Sequence, residues 1–202
     1  FPTRRSSDLE KERMSKIIFF DIDGTLHYSG IGIPQSAVKA INQLIANGHK
    51  AVMCTGRSKG MMPEEYFHMG FHGMILGAGA YVEYEGKVIH RELMTKQEVQ
   101  TVIDWGKKQK IGIILEGEQH GYYDPDNHDD YYVAMKNKTE VDCETTLYPI
   151  SEAVDVAKWT YHHMDLDLKP EIEEILGHKY KGTYHEPVNS VEFVPMGVNK
   201  AK

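Results

Sequence analysis

The sequence predicts an α/β fold that starts on a parallel sheet and continues into a second α/β unit, and three observations carry that prediction. An apolar run, Ile17 to Phe20, stops at an aspartate; an amphipathic stretch, Pro34 to Asn47, follows; a second apolar run, Lys50 to Cys54, comes directly after it. A strand, a helix and a strand in this order and at these lengths make a right-handed βαβ unit, and such a unit lays its two strands parallel.

The first run reads as a strand buried on both faces, because its apolar residues are continuous and do not alternate with polar ones. In the helix, Ala37, Val38, Ile41, Leu44 and Ile45 recur at helical spacing, with Pro34 near the start and Gly48 just past the end. A helix around Met61 to Met69 and a short strand from Met74 to Leu76 follow. Ala80 to Glu92 reads as a hairpin across Glu85-Gly86, with β-prone residues on both sides of the turn. Between Thr95 and about His185 the pattern predicts a helix (Lys96 to Lys110), a strand (Ile111 to Glu116), a Tyr- and Asp-rich stretch, a strand near Val156 to His162 and a short helix from Pro170 to Leu176. That is enough for a second α/β domain. Ser190 to Val194 alternates and ends at Pro195, and is read as the first sheet being resumed.

The bulk properties narrow the function. A chain of 202 residues with 41% hydrophobic and 26% charged residues folds instead of remaining disordered, and its length allows one to two domains. The net charge of −7 argues against a nucleic-acid partner, which calls for a basic face. No apolar run reaches the length of a membrane span, and Cys54 and Cys143 stand apart without metal-site spacing. These features are those of a cytoplasmic protein. The opening FPTRRSSDL matches one reading frame of a common sequencing-adapter oligonucleotide, so residues 1–13 are read as non-native and Met14 as the natural start.

Chemistry concentrates where the first strand ends, at Asp21-Ile22-Asp23-Gly24-Thr25. Ligands of open α/β sheets bind beyond the carboxyl ends of the strands, and carboxylates two residues apart there can face one pocket. One can attack phosphorus while the other handles the proton of the leaving oxygen and then of water. Gly24 allows the sharp turn after them. A calcium-loop reading fails on register: with Gly24 at the sixth position, the first and twelfth would be Phe19 and Gly30, which carry no carboxylate. Cys54-Thr55-Gly56-Arg57 ends the second strand in the same way, one βαβ unit on.

These two segments, with Val191-Glu192-Phe193-Val194-Pro195-Met196-Gly197-Val198-Asn199-Lys200 after a long insert, resemble the haloacid dehalogenase superfamily, and more narrowly its Cof-type phosphatases. The resemblance covers Met14 to Lys202. It implies a doubly wound, Rossmann-like parallel sheet with an α/β cap inserted after the third strand: core over 14–84, cap over 85–188 and a return to the core over 189–202. It implies that Asp21 is the nucleophile, Asp23 the general acid and base, Thr55 a hydrogen-bond partner of the phosphoryl group, and Lys200 the cation that offsets its charge. It also places Gly24, Thr25, Gly56 and Arg57 at the substrate, and Mg2+ on the Asp21 carboxylate and the Asp23 backbone carbonyl. The expected reaction is hydrolysis of a phosphate monoester of a small metabolite, a sugar phosphate or a phosphorylated cofactor, through a phosphoaspartate; the rivals are a phosphomutase or other phosphoryl transferase of the same superfamily, and an inactive fragment or silent binding protein. The family's fourth motif, an acidic loop that completes the magnesium site, has no counterpart before Lys202, so truncation is expected. Relatives often carry Asn-Gly where this chain has Gly77-Ala78-Gly79.

Other features are read as structural. His128, Asp129 and Asp130 form a solvated surface, and His162 and His163 lie on a strand with one facing in and one out. Tyr122, Tyr123, Tyr131 and Tyr132 are candidates for substrate selection.

Overall fold

A computed structural model describes residues 14–200; the adapter-like segment 1–13 and the last two residues lie outside the described residues. The first βαβ unit forms as its spacing dictates: β1 (Ile17–Phe20), α1 (Gln35–Ala46) and β2 (Lys50–Cys54), with β1 and β2 parallel and Phe20 opposite Met53. Gly48 follows α1 with φ +86, the left-handed backbone that ends a helix cheaply. β3 (Gly73–Leu76) adds in parallel to β2, and the hairpin β4 (Tyr81–Tyr84) and β5 (Lys87–Arg91) extends the sheet antiparallel, in the order β1-β2-β3-β4-β5. The hairpin turns on Glu85 (φ 49) and Gly86 (φ 75), both left-handed as a two-residue hairpin with the right strand twist requires.

Two expectations in this half are corrected. β1 is an edge strand rather than a doubly buried one, with Ile17 and Phe19 55% and 57% exposed, because among the described residues β2 is its one pairing partner. The helix expected over Met61 to Met69 is instead a 3-10 turn (Lys59–Met61) and one helical turn, α2 (Glu64–Phe67). Pro63 divides them, since it disfavours helical backbone at Met62, which is extended at φ −107, ψ 136.

The second sheet has the order β10-β11-β9-β6-β7-β8, built from β6 (Gly112–Gly117), β7 (Gly121–Tyr123), β8 (Leu147–Pro149), β9 (Val156–His162), β10 (Tyr180–His185) and β11 (Ser190–Pro195). α3 (Lys96–Gln109) and α5 (Lys169–Ile175) cover one face. There Trp105, Leu115, Trp159, Tyr161 and Phe193 are buried, and Trp159 stacks on Phe193 at 4.8 Å. α3 opens on a capping box in which Thr95 and Glu98 each satisfy the other's backbone N–H. The Tyr- and Asp-rich stretch holds β7 and a helix, α4 (Asp130–Cys143), capped by the Asp129 carboxylate accepting from the Tyr132 N–H at 2.9 Å. No apolar stripe announces α4, which is why periodicity missed it. β8 and β10 were likewise not foreseen.

The strand ladders move both expected cap boundaries. β5 belongs to the first sheet, so a boundary between 84 and 85 cuts a hairpin. β11 does not resume the first sheet at 189; it pairs antiparallel with both β10 and β9. Its alternation explains the choice, since Val191 and Phe193 are fully buried against the Trp159 cluster while Glu192 faces the other way.

Candidate active site

The segment after β1 is shaped by its backbone. Ile22 is fully buried and its carbonyl accepts from the N–H groups of Thr25, Leu26 and His27 at 3.1, 2.9 and 2.8 Å. Gly24, at φ +71, makes the turn and donates its own N–H to the His27 carbonyl at 3.1 Å. Pinning Ile22 inward leaves Asp21 and Asp23 on either side of it, with side chains 44% and 54% exposed. Thr25 lies on the same exposed turn.

Each carboxylate has its own cation. Lys200 donates from Nζ to Asp21 Oδ1 at 2.7 Å across 179 residues of sequence. The tail carrying Lys200 is seated on the strand ends: a Cβ on Gly79 would lie 2.7 Å from the Asn199 carbonyl oxygen, and the Cys54 thiol donates to the Lys200 carbonyl at 3.7 Å. Gly79, at φ +107, therefore admits the tail where a side chain would not. Burial pushes the Cys54 thiol pKa up, which leaves it a neutral neighbour of this ion pair.

Asp23 is held by Arg57, whose Nε donates to Oδ1 and Oδ2 at 3.1 and 3.0 Å while Nη2 also reaches Oδ1. The same Nη2 donates to the Asp142 carbonyl at the end of α4, at 2.8 Å. Burial by itself would lower the Arg57 pKa, but the bond to Asp23 and the smaller electrostatic contributions of Cys143, Asp23 and Tyr66 together outweigh it, and the guanidinium stays charged. Thr55 is fully buried at the end of β2, and its hydroxyl oxygen accepts from the Arg57 N–H at 3.2 Å, which leaves the O–H to donate. Gly56 stands between them with open space where a Cβ would be. A cleft of about 230 Å³ opens beside Asp23, lined by Gly24, His27, Tyr28, Ser29 and Asp142.

The sequence pattern that defines the haloacid dehalogenase-like hydrolases matches residues 18–202. The chain belongs to that family. A Bacillus subtilis (strain 168) protein named "Putative phosphatase YkrA" is 29% identical over 104 residues, which is 52% of this chain and 40% of that protein's length. A haloacid dehalogenase-like hydrolase from Bacteroides thetaiotaomicron superposes with a TM-score of 0.76 at 17% identity, over 93% of this chain and 74% of the other. A structure described as the HAD subclass IIB sugar phosphatase BT4131 gives 0.68 at 20% identity, over 93% and 72%.

Within this haloacid dehalogenase-like hydrolase, the oxygen donors at Asp21 suit a hard cation, but they form only part of a site. Lys200 takes Oδ1 of Asp21, and Arg57 occupies the Asp23 carboxylate, so Asp23 is left to contribute its carbonyl. Among the described residues no group of three or more His, Cys, Asp or Glu side chains is placed to hold a metal.

Several residues around the site escaped sequence reasoning. Ser29 donates to Asp142 Oδ1 at 2.6 Å, tying the loop after Asp23 to α4. Nearby, His27 is buried, its Nδ1 2.6 Å from the Tyr66 hydroxyl and 3.8 Å from Glu144 Oε1; burial pushes Tyr66 up to about 12, so its O–H remains a donor. On the second sheet Glu116, Lys158 and Glu192 form a charged cluster, joined to the first half by the Ser58 N–H donating to Glu116 at 3.3 Å. Burial raises the Glu116 pKa; Lys158 is raised despite its burial by the two carboxylates, and Glu192 is lowered despite its burial by Lys158. These side chains come from separate strands, so no spacing in the sequence signals them.

Proposed function

We propose that this chain carries the phosphoryl-transfer centre of a phosphatase acting on phosphate monoesters of small metabolites. One observation supports the reading most directly: Asp21 and Asp23 flank buried Ile22 at the carboxyl end of a parallel strand, and each faces its own cation, Lys200 and Arg57.

In this reading the oxygen of Asp21 not held by Lys200 attacks phosphorus. A bond from Asp21 to phosphorus forms as the ester oxygen–phosphorus bond breaks, and Asp23 gives the leaving oxygen its proton. Water then attacks the acyl phosphate, Asp23 takes the water proton, and phosphate departs with Asp21 regenerated. Lys200 offsets charge on Asp21 and the phosphoryl oxygens, and the Thr55 hydroxyl donates to one of them. Arg57 pairs with the Asp23 carboxylate, the form that acts on water; for the first step, in which Asp23 hands a proton to the leaving oxygen, the guanidinium must yield. Magnesium on the Asp21 carboxylate and the Asp23 carbonyl, completed by ligands beyond these two, would neutralise negative charge at phosphorus.

A small phosphorylated metabolite is the partner this chemistry calls for, with the name of the sugar phosphatase BT4131 as a pointer to class. Two free cysteines favour a reducing, cytoplasmic setting, and no helix among the described residues is long and apolar enough to cross a membrane.

The test is phosphate release from an aryl phosphate, with and without magnesium, by the unsubstituted chain and by Asp21→Asn. Magnesium-dependent release that disappears in Asp21→Asn is the expected result. Release that persists in the variant would remove Asp21 from the chemistry.

A further inference from the structure

A cavity of about 610 Å³ lies in the second unit, between one face of α3 and the segment that runs from the end of β8 into β9, and it shares no residue with the cleft beside Asp23. Sequence spacing builds one wall. Lys96, Val99, Ile103 and Lys107 recur at three- and four-residue intervals, so they line a single face of α3. Ile150, Val154 and Val156 contribute to the opposite wall. Val154 is 44% exposed, apolar surface that the fold leaves in water at the edge of this slot.

Three charged side chains line the cavity, and two of them are already matched. Asp155 has Arg91 Nη2 at 3.8 Å, and Gln119 Nε2 donates to its Oδ2 at 3.2 Å. Lys107 stands between Asp124 and Asp126, 3.6 Å from each. Lys96 has neither a hydrogen bond nor an ion pair among the described residues. Lys96 and Lys107 are separated by about 16 Å of helix at 1.5 Å per residue, with apolar side chains between them. One free cation at one end of a long apolar slot calls for a long apolar group with a single negative charge at its end. A dianionic phosphate would need a second free cation, and Lys107 is taken.

The cavity also touches the connection between the two units. Glu92 donates its N–H to the Ala80 carbonyl beside β4 at 2.8 Å, and Met94 donates its N–H to the Val156 carbonyl of β9 at 2.8 Å, so Leu93 spans from one sheet to the other. Leu93, Met94 and Val156 all line the slot. We infer that the cavity is an effector site for an unbranched alkyl chain ending in one carboxylate, with the charge at Lys96 and the chain between Ile103 and Val154, and that filling it stiffens the joint between the two units. Nothing in this site depends on the chemistry of Asp21.

The test is calorimetric titration of the chain with decanoate, butanoate and decyl phosphate, repeated on Lys96→Gln and on Val154→Glu, which sets a like charge at an exposed position of the slot; hydrogen exchange is followed with and without decanoate. Decanoate is expected to bind about tenfold or more tighter than butanoate, because its longer chain buries more methylenes, and tighter than decyl phosphate. Val154→Glu should weaken decanoate binding by about tenfold or more, and Lys96→Gln by about threefold, the worth of one exposed charge pair. Decanoate should slow exchange over 91–96 and 150–156. Absence of decanoate binding, equal binding of butanoate, tighter binding of decyl phosphate, binding undiminished in Val154→Glu, or protection confined to other segments each overturns the assignment.

Discussion

Arg57 holds the carboxylate of Asp23 through two nitrogens and, with one of them, also reaches the Asp142 carbonyl at the end of α4. A single buried guanidinium thus joins a carboxylate of the first sheet to a helix of the second unit. Any movement of α4 away from the strand ends breaks one of its bonds, so the freedom of Asp23 is tied to the position of that helix.

Replacing Arg57 by lysine keeps the charge and loses the planar fork. Arg57→Lys is expected to lower stability by about 1.5–3 kcal/mol, the range for losing a hydrogen bond to a charged group, and to reduce phosphate release. Urea unfolding beside the aryl phosphate assay checks both; a variant as stable and as active as the parent would show the fork to be dispensable.

The two halves also meet at Met61, which packs into Ile114, Tyr132 and Leu147 of the second unit, with Gly60 against the backbone of His120. A methyl on Gly60 would overlap the His120 amide, which cannot move without shifting β7. Gly60→Ala is therefore expected to loosen the docking while sparing each core, and Met61→Ala to cost about 2–5 kcal/mol as a large-to-small change in a packed cluster. Hydrogen exchange should show faster opening over 57–61 and 118–122 than over β9; uniform exchange would count against a discrete joint.

Glu98 closes the capping box of α3 and also receives Lys179 at 2.7 Å. Burial would raise its pKa, but Lys179 and the Thr95 N–H and hydroxyl outweigh that and hold it at about 2. A depressed carboxylate stabilises the fold above its unfolded pKa, and that stability is lost as pH falls toward 2. Glu98→Gln should cost about 1 kcal/mol at pH 7, as loss of a cap does, and the difference should vanish near pH 2. Thermal melts at several pH values measure it.

His162 behaves in the opposite sense. Burial, helped by His163, lowers its pKa to about 4, and neither ring nitrogen has a partner among the described residues. The unfolded chain, with its histidine near about 6.5, binds the proton first, so stability falls as pH drops from about 6.5 to 4 and this contribution levels off below. His162→Leu loses no hydrogen bond and should flatten that slope. An unchanged slope in the variant would assign the pH dependence elsewhere.

Local chemistry made much of this legible in advance. The βαβ unit, the Glu85-Gly86 hairpin, α3 and β9 follow from periodicity, caps and turn residues, each acting over a few positions. The aspartate pair was legible for the same reason, because a strand end, a two-residue spacing and a glycine turn are all local. α4 was not, since its stability comes from the Asp129 cap and from Tyr132 packing against Gly112 rather than from an apolar stripe.

Partnership is what sequence left open. Alternation in Ser190–Pro195 shows that one face is buried and says nothing of which sheet buries it; only the Trp159 cluster, assembled from β6, β9 and β11, draws that strand into the second sheet. The same holds at the site. Asp21 and Asp23 are written side by side, but their cations stand 179 and 34 residues away, and Glu116, Lys158 and Glu192 arrive on three strands. Local sequence determined where the carboxylates turn outward; long-range packing decided what they face, because hydrophobic burial and charge pairing act through distance in space and not along the chain.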